Sequence, residues 1–412
     1  MKIKALHFKD YKRFHDLTID LGETPARIVA LVGPNGCGKS SVFDGMLYVN
    51  NNTYIRIGSN SNNVSDYKYH SLLQRIDYSF QNVSIQFDKG DYRQVIEEKR
   101  QVGQSNTIFS FRSSFRYSST LNVTELRAVD DIKLNNYGAS TASDVDARIE
   151  QNYRRLRIKY DNYLNKQDCR PSEAKLHIIK ELNDAIKNCL SLEIDNLGNI
   201  EDGKGTLFFR KSDSANTFEF NVLSAGEKEV VDILLDLYLR RDQYTDSIYI
   251  IDEPELHLNT AIQRSLLNEI NKMIPEGCQI WVATHSIGFL RAIQDELNDQ
   301  AQVIQFDSDN KWASETYTLT PIKKNRAAWR SLFKTALEDL TNLVAPRTVI
   351  YCEGRDKPGS NSEEKGLDAI VFNKIFGEHY PDILFVSSGG NTELDQRSAI
   401  AIAVLSKALP DT

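Results

Sequence analysis

The chain has 412 residues, of which 41% are hydrophobic and 26% charged, and 50 Lys and Arg against 57 Asp and Glu give a formal net charge of −7. This length suggests two or three structural units that each bury a core. The longest apolar run, Ala399 to Leu405, is far shorter than the ~20 residues that a membrane helix needs, and the start of the chain lacks the apolar stretch of a signal peptide. Five scattered cysteines form no CxxC pair, which disfavours a disulfide scaffold or a structural zinc site. We therefore expect a cytoplasmic protein without membrane insertion.

The N-terminal part predicts strands around one helix. Residues Lys2 to Phe8 alternate in polarity, and Leu17 to Leu21 is expected to pair with them as a second strand. Ile28 to Val32 is a continuous apolar run, which is typical of a strand covered on both faces. A helix is predicted over Ser41 to Val49, and the Asn- and Ser-rich segment from Asn50 to about Ser65 predicts a surface loop.

The next part of the chain changes from strand-like to helical spacing. Val83 to Phe87, Tyr92 to Glu97 and Thr107 to Phe111 alternate like strands and predict a meander. Residues 141–190 then carry apolar side chains at helical spacing, which predicts an insertion of two amphipathic helices broken near Pro171.

From Ala225 onward, helices and strands alternate regularly. Strands are predicted at Ser247 to Ile251, Gln279 to Ala283 and Gln302 to Phe306, each preceded by a helix. That rhythm indicates a largely parallel α/β sheet. Residues 322–340 predict a further helical connector.

A second α/β pattern follows this connector. It is predicted as a strand at Thr348 to Cys352, a helix at Leu367 to Phe376, a strand at Ile383 to Val386 and a helix at Glu393 to Leu409.

The segment after the strand Ile28 to Val32 matches the phosphate-binding pattern GxxxxGK[ST] without a mismatch. In this pattern the glycines let backbone N–H groups curl around phosphates, and the N-terminus of the next helix adds a favourable dipole. Lys39 is expected to reach the β- and γ-phosphates of ATP, and Ser40 is expected to bind Mg²⁺. The predicted ATP-binding residues here are Gly33, Pro34, Asn35, Gly36, Cys37, Gly38, Lys39, Ser40 and Ser41.

The predicted strand Ser247 to Ile251 leads into two acids, Asp252 and Glu253. In a chain with a phosphate-binding loop, this pattern predicts that Asp252 holds Mg²⁺ and that Glu253 polarises the water that attacks the γ-phosphate. An ordinary capped loop is the alternative for any apolar strand followed by two acids, and the presence of the phosphate loop favours the catalytic interpretation.

The segment Leu223-Ser224-Ala225-Gly226-Glu227-Lys228 resembles the signature sequence of ABC-type ATPases, in the form typical of SMC- and RecF-like members. Ala225 replaces the usual glycine, and Glu227 replaces the usual glutamine. The resemblance implies that Ser224, Ala225, Gly226 and Glu227 contact the γ-phosphate of ATP that a second copy of the chain binds. Ser224 and Glu227 also form a capping-box pattern, and both interpretations can hold together.

The resemblance to ABC-type ATPases of the SMC, RecF and OLD kind covers residues 1 to about 320, including the opening segment Ile3 to Phe14. It implies that Arg13 approaches the nucleotide and that His285 is the switch histidine that contacts the γ-phosphate. The sequence does not place the family's Q-loop glutamine, since Gln81 and Gln86 are both candidates. The implied organisation is an ATPase domain formed by residues 1–140 and 191–320, a helical insertion at 141–190, and a helical connector at 321–345.

The segment Val349 to Gly354 resembles the first strand and turn of a Toprim domain, in which a Glu and a later Asp-x-Asp pair hold Mg²⁺ for phosphodiester chemistry. Residues 346–412 are therefore interpreted as a partial Toprim-like domain with Glu353 as a metal ligand. Between Gly354 and Thr412 no Asp-x-Asp pair appears, so the sequence does not establish nuclease activity. A small α/β appendage with an incidental Glu-Gly turn is the alternative.

Together these patterns predict an α/β protein, namely an ABC-type P-loop ATPase with a mixed N-terminal β part, a helical insertion and a small C-terminal Toprim-like α/β fragment. The resemblance implies an ATPase of an OLD-like defence system that senses or acts on foreign DNA and controls a nuclease or effector. The alternatives are a RecF-like DNA-repair ATPase and an ATP-switched scaffold that holds and releases a separate toxin or nuclease subunit.

The expected partners follow from the same resemblance. They are a second copy of the chain, in a homodimer or larger homo-oligomer, a separate nuclease or toxin subunit, and DNA. Basic stretches at Arg154 to Lys159 and Lys323 to Arg326 are the candidate contacts to DNA phosphates, with solvated helix faces as the alternative.

Overall fold

The computed structural model describes residues 1–58, 82–116, 120–134, 138–211, 216–307, 309, 311–325, 328–329, 331–333, 348–352, 367–377, 379–380 and 383–387. The chain divides into two compact units, Met1–Pro321 and Ile322–Thr412. The helices described in the first unit are α1 (Lys39–Gly58), α2 (Tyr92–Gln101), α3 (Ile149–Gln167), α4 (Pro171–Ile178), α5 (Lys180–Leu190), α6 (Ala225–Arg240), α7 (Thr260–Met273) and α8 (Ile287–Asp295). Its strands are β1 (Ile3–Tyr11), β2 (Phe14–Asp20), β3 (Ile28–Val32), β4 (Val83–Phe87), β5 (Gly90–Asp91), β6 (Phe109–Arg112), β7 (Leu192–Asn196), β8 (Phe208–Lys211), β9 (Thr217–Glu219), β10 (Ile248–Asp252), β11 (Gln279–Thr284), β12 (Ala301–Gln305) and β13 (Thr316–Leu319).

The central sheet of this unit is parallel, with strand order β12-β3-β11-β10-β6. Every residue of β3, β10 and β11 is buried, because both faces of these strands are covered. Their continuous apolar runs are therefore typical of a doubly covered parallel sheet. This arrangement confirms the predicted α/β class.

A second, mixed sheet has the order β13-β2-β1-β4-β5. Strand β1 pairs with β2, as predicted, and the pairing is antiparallel. A single hydrophobic core contacts both sheets and α1, and it includes Phe8, Phe43, Trp281 and Phe306. This core fixes the N-terminal strands against the helix that follows the phosphate loop.

The predicted strand at Tyr92 to Glu97 is wrong, because this segment forms helix α2. Asp91 is the N-cap and forms a capping box with Gln94, which satisfies two backbone N–H groups at the helix start. Tyr92, Val95, Ile96 and Lys99 then share one buried face. The predicted meander is wrong as well, since β4 pairs with β1 and β6 pairs in parallel with β10.

The loop predicted from Asn50 onward is wrong as far as Gly58, because α1 continues to that residue. The remainder of that prediction, through Ser65, lies outside the described residues. In the predicted helical insertion, the chain breaks before Pro171 as expected. The second predicted helix is divided into α4 and α5 at Ile179.

The second unit contains β14 (Thr348–Cys352), α9 (Leu367–Phe376) and β15 (Ile383–Ser387), with β14 and β15 parallel. These three elements lie where the sequence predicts them. Glu353 and the helix predicted at Glu393 to Leu409 lie outside the described residues. Across the described parts of both units, we find no helix with the length and apolar character required to cross a bilayer.

Candidate active site

Three predicted site segments follow neighbouring strands of the central sheet. The phosphate loop follows β3, His285 follows β11, and Asp252 is the last residue of β10. Because these strands are parallel and in register, with Val32 paired to Thr284 and Asp252 to Ala283, their carboxyl ends lie side by side. Ligands of open parallel α/β sheets bind at this edge.

The phosphate loop has a backbone conformation that requires glycine. Gly36 and Gly38 have φ angles of +78° and +116°, which residues with a Cβ atom rarely adopt. A Cβ atom at Gly38 would also lie 2.8 Å from the Phe14 ring and 2.9 Å from Arg13 Cδ. Arg13, the basic residue expected near the nucleotide, therefore lies directly against the loop.

The side chain of Lys39 lies inside the loop. It is buried, and its Nζ donates to the carbonyl oxygens of Gly33 at 2.8 Å and Pro34 at 3.0 Å. The carbonyl oxygen of Cys37 accepts a hydrogen bond from Trp312 Nε1 at 3.1 Å, which anchors the turn of the loop. An ammonium group held at the start of α1 suits the binding of a phosphate. Of the other predicted loop residues, Gly38 is buried, Ser40 and Ser41 are half-buried, and Asn35 and Gly36 are exposed.

The carboxylate of Asp252 is buried, and among the residues that the structure describes neither of its oxygens has a hydrogen-bond partner of ordinary geometry. Burial raises the pKa of this carboxyl to about 7, against the opposing influence of the Ser40 hydroxyl beside it. A buried carboxylate without partners costs free energy unless a cation balances it. Mg²⁺ prefers oxygen ligands and commonly takes only one or two from the protein when it accompanies phosphates. Asp252 and Ser40 therefore fit the predicted Mg²⁺, which would supply charge neutralisation at the phosphates.

Glu253 is half-buried at the same edge of the sheet and has a left-handed backbone, with φ of +45°. Its N–H donates to the carbonyl oxygen of Ala283 at 3.0 Å. Its own carbonyl oxygen accepts a hydrogen bond from Arg116 Nη2 at 2.8 Å. Hydrogen bonds on both sides of the residue thus stabilise a conformation that non-glycine residues rarely adopt.

Arg116 is a residue of this site that the sequence analysis missed. It lies in the loop after β6, the strand beside β10 in the sheet, and it is buried. The signal that leads to it is the position of β6, because the carboxyl end of that strand lies at the same edge as Asp252. The sequence pattern predicts the strand at Thr107 to Phe111 as part of a meander, which does not predict its carboxyl end beside Asp252. Of the two Q-loop candidates, Gln86 lies on β4 in the other sheet, and Gln81 lies outside the described residues.

His285 is presented by a turn that a buried glutamate holds. Glu255 Oε1 accepts hydrogen bonds from the Thr284 hydroxyl at 2.5 Å and from the His285 N–H at 3.0 Å. The imidazole Nδ1 of His285 lies 3.7 Å from the same oxygen, and the ring is partly exposed at the edge of the sheet. Burial raises the pKa of the Glu255 carboxyl. The sequence alone does not single out Glu255, which lies two residues after Glu253.

The signature segment begins α6, and Ser224 is the N-cap of this helix. Ser224 Oγ accepts from the Glu227 N–H at 3.3 Å, and Glu227 Oε2 accepts from the Ser224 N–H and hydroxyl at 2.8 Å each, which confirms the capping box. Ser224 and Ala225 are exposed, whereas Gly226 is buried. A Cβ atom at Gly226 would lie 2.6 Å from the carbonyl oxygen of His257, so this glycine permits close packing on the loop after β10.

The first basic stretch is neutralised in part by neighbouring acids. Arg154 donates to Glu150 at 2.6 Å, and Arg157 donates to Asp161 at 2.9 Å. These charges are therefore shared with the protein's own helix. In the second basic stretch, Arg326 lies outside the described residues.

The parallel sheet, the phosphate loop and the buried acid at the end of the neighbouring strands define the class of this protein, which is a P-loop ATPase. The chain belongs to the family described as "AAA domain, putative AbiEii toxin, Type IV TA system", whose model matches residues 28–291, well over half of the chain. No curated protein matches the sequence.

Several solved structures of SMC heads are similar to this chain. They include the SMC head bound to the C-terminal winged-helix domain of ScpA, with a TM-score of 0.43, 12% identity, and coverage of 74% of this chain and 94% of that chain. The SMC head with an extended coiled coil bound to the C-terminal domain of ScpA, from Pyrococcus furiosus, has a TM-score of 0.38 and 11% identity, with coverage of 74% and 93%. The SMC head domain from Thermotoga maritima has a TM-score of 0.36 and 16% identity, with coverage of 74% and 94%. The similarity is remote in each case.

Proposed function

We propose that this protein binds and hydrolyses ATP with Mg²⁺ at a site that two copies of the chain complete. The observation that carries the proposal is the buried carboxylate of Asp252, close to Ser40 at the edge where Lys39 lies. Its oxygens lack hydrogen-bond partners of ordinary geometry among the described residues. Lys39 and the N-terminus of α1 bind the phosphates, and Asp252 and Ser40 hold the metal. Glu253 takes the proton of the attacking water.

Three further groups complete the proposed site. Arg13 lies against the phosphate loop and adds positive charge beside the nucleotide. His285 donates to the γ-phosphate from the end of β11. Ser224 and the N-terminus of α6 do the same from a second chain, since this end of the helix is exposed and offers N–H donors.

The proposed biological role is that of an OLD-like defence ATPase, which senses or acts on foreign DNA and controls a nuclease or effector. The description of its family names a toxin and a type IV toxin–antitoxin system, which favours a defence role over RecF-like repair. The same description supports the second candidate, an ATP-switched scaffold that holds and releases a separate toxin subunit. A partial Toprim-like domain remains our interpretation of residues 346–412, supported by the parallel order β14-α9-β15.

Two substitutions test the ATPase proposal. Lys39→Ala should abolish binding of a fluorescent ATP analogue, because the lysine supplies phosphate charge. Glu253→Gln should bind the analogue as the wild type does but hydrolyse ATP ~10²–10⁴ times more slowly, because only the base is removed. Wild-type phosphate release in either variant would refute the assigned role of that residue.

Mixing two inactive variants tests the assembly. Chains with Lys39→Ala and chains with Ser224→Arg each lack one half of every site. A mixed pair has one site with both lesions and one with neither, so ATP hydrolysis should partly return. If labelled chains exchange and no hydrolysis returns, the signature does not act on a second chain.

A further inference from the structure

The inner face of α6 carries charges where a buried helix usually carries apolar side chains. Glu229, Asp232, Asp236 and Arg240 follow one another at intervals of three or four residues, and all four are buried. Burying a charge costs much free energy unless it is paired and hydrogen-bonded. The partners of these side chains therefore determine how α6 is attached to the rest of the fold.

The middle of α6 is attached to the end of β6. Arg112 Nη2 donates to Asp232, and Arg112 Nη1 lies 3.8 Å from Asp236. Arg112 Nε lies 3.3 Å from Asp146, and in the described part of the chain the ion-pair partners of Arg112 lie outside the candidate active site. This pair fixes the helix without contacting the catalytic residues.

The start of α6 is attached to the active site itself. Arg116 Nε donates to Glu229 Oε1, and Arg116 Nη1 donates to the carbonyl oxygen of Ser113. The same guanidinium group donates to the carbonyl oxygen of Asp252 at 2.9 Å and to that of Glu253 at 2.8 Å. One buried side chain thus joins the signature helix to the backbone of both acids.

The geometry makes this connection stiff. A guanidinium group is a rigid plane with its donors at fixed angles, so a displacement of Glu229 moves the donors that hold Glu253. Glu253 has φ of +45°, a left-handed conformation that is unfavourable for a residue with a Cβ atom. Its backbone therefore depends on the bonds from Arg116 and to Ala283.

We infer that Arg116 is a positioning residue that couples the signature helix to the catalytic base. Contact of the signature with the nucleotide of a second chain sets the position of α6, and Arg116 transmits that position to Glu253 of the chain that owns the signature. The two nucleotide sites of a dimer are thereby coupled, since the signature of one chain acts at one site and the catalytic base of the same chain acts at the other. The inference rests on the proposed ATPase function.

The test replaces the whole pair, so that no buried charge is left alone. The double variant Arg116→Met/Glu229→Met should bind a fluorescent ATP analogue within about twofold of the wild type. Its kcat should fall at least about tenfold, because a shift of ~1 Å in a catalytic group can cost ~10²-fold in rate. Arg116→Lys keeps the charge but not the planar fork, and we expect it to restore only part of kcat.

The matched control is the double variant Arg112→Met/Asp232→Met. It removes an ion pair of the same kind between α6 and the same side of the sheet, and its kcat should stay at the wild-type value. An unchanged kcat in the Arg116 and Glu229 variant, or equal losses in both double variants, would overturn the inference.

Two further measurements keep the outcome decisive. If circular dichroism shows that the Arg116 and Glu229 variant does not fold, Arg116→Lys takes its place, since lysine lacks the planar fork that joins Glu229 to the backbone of Glu253. Its kcat should fall below the wild-type value with analogue affinity unchanged, and a wild-type kcat would overturn the inference. Wild-type hydrolysis that is no faster than that of Lys39→Ala would refute the ATPase function and not the coupling alone.

Discussion

Replacing Arg112 by Met should lower the free energy of unfolding by about 3–5 kcal/mol, the usual cost of removing one partner of a buried ion pair. Arg112 belongs to a buried cluster with Arg148 and Arg240, and the cluster's acids are Asp146, Asp232 and Asp236. The charges of these three arginines and three aspartates cancel. Without Arg112, one negative charge in the cluster has no counterpart.

The free energy of unfolding that Arg112→Met loses should be larger at high pH than at low pH. Burial raises the pKa of Asp232 to about 6 even though Arg112 opposes the rise, so removing Arg112 raises it further. When an acid has a raised pKa in the folded state, the free energy of unfolding falls as the pH rises through that pKa. The reason is that the folded protein must then release a proton that the unfolded chain has already released. The deficit of Arg112→Met should therefore be larger at pH 8 than at pH 5.5.

Urea unfolding of matched variants at both pH values checks this. The same substitution at Arg264, which pairs with Asp295 and Glu296 on the surface, should cost only about 0.2–1 kcal/mol. The double variant Arg112→Met/Asp232→Met restores neutrality and should recover most of the loss. Equal, small losses for Arg112→Met and Arg264→Met would refute the reasoning.

Three other predictions concern the nucleotide site. Asp252→Asn should stabilise the nucleotide-free protein at pH 8 by about 1–4 kcal/mol, because burial has raised the pKa of this acid to about 7 and each pKa unit between the folded and unfolded states corresponds to ~1.4 kcal/mol. Urea unfolding should show that this gain in stability disappears near pH 4, and a gain that does not depend on pH would contradict the prediction. Gly38→Ala should weaken binding of an ATP analogue at least about tenfold, as fluorescence titration will measure, since φ is +116° and the new Cβ would meet the Phe14 ring at 2.8 Å. Gly226→Ala should lower kcat with little change in analogue affinity, because its Cβ would lie 2.6 Å from the His257 carbonyl oxygen and push the signature helix away; wild-type turnover would show that this packing is dispensable.

The correct predictions of the fold came from sequence patterns formed by residues that are close together in the chain. The apolar runs at β3, β10 and β11 indicate strands covered on both faces, and each is buried throughout. The glycines and lysine of the phosphate loop predict its position between a strand and a helix, because that conformation is determined by adjacent residues.

Alternation over a few residues was an insufficient guide at Tyr92 to Glu97. A short segment of mixed polarity is compatible with a strand or with one face of a helix. The helix forms because the Asp91 capping box starts it and its apolar face packs inward. The residues of the cap are present in the sequence, but the alternation beside them is also typical of a strand.

The sequence by itself determined the phosphate loop, the acidic end of β10 and the cap that starts α6, because each depends on residues close together in the chain. Only the tertiary structure decided that Arg116 joins Glu229 to the backbone of Glu253, since Arg116 and Glu229 are 113 positions apart. A charged residue in an otherwise apolar helix predicts a solvent-facing position unless its partner is known. Here the partner comes from the loop after a strand that is distant in the sequence, and long-range pairing of this kind leaves no local pattern in the sequence.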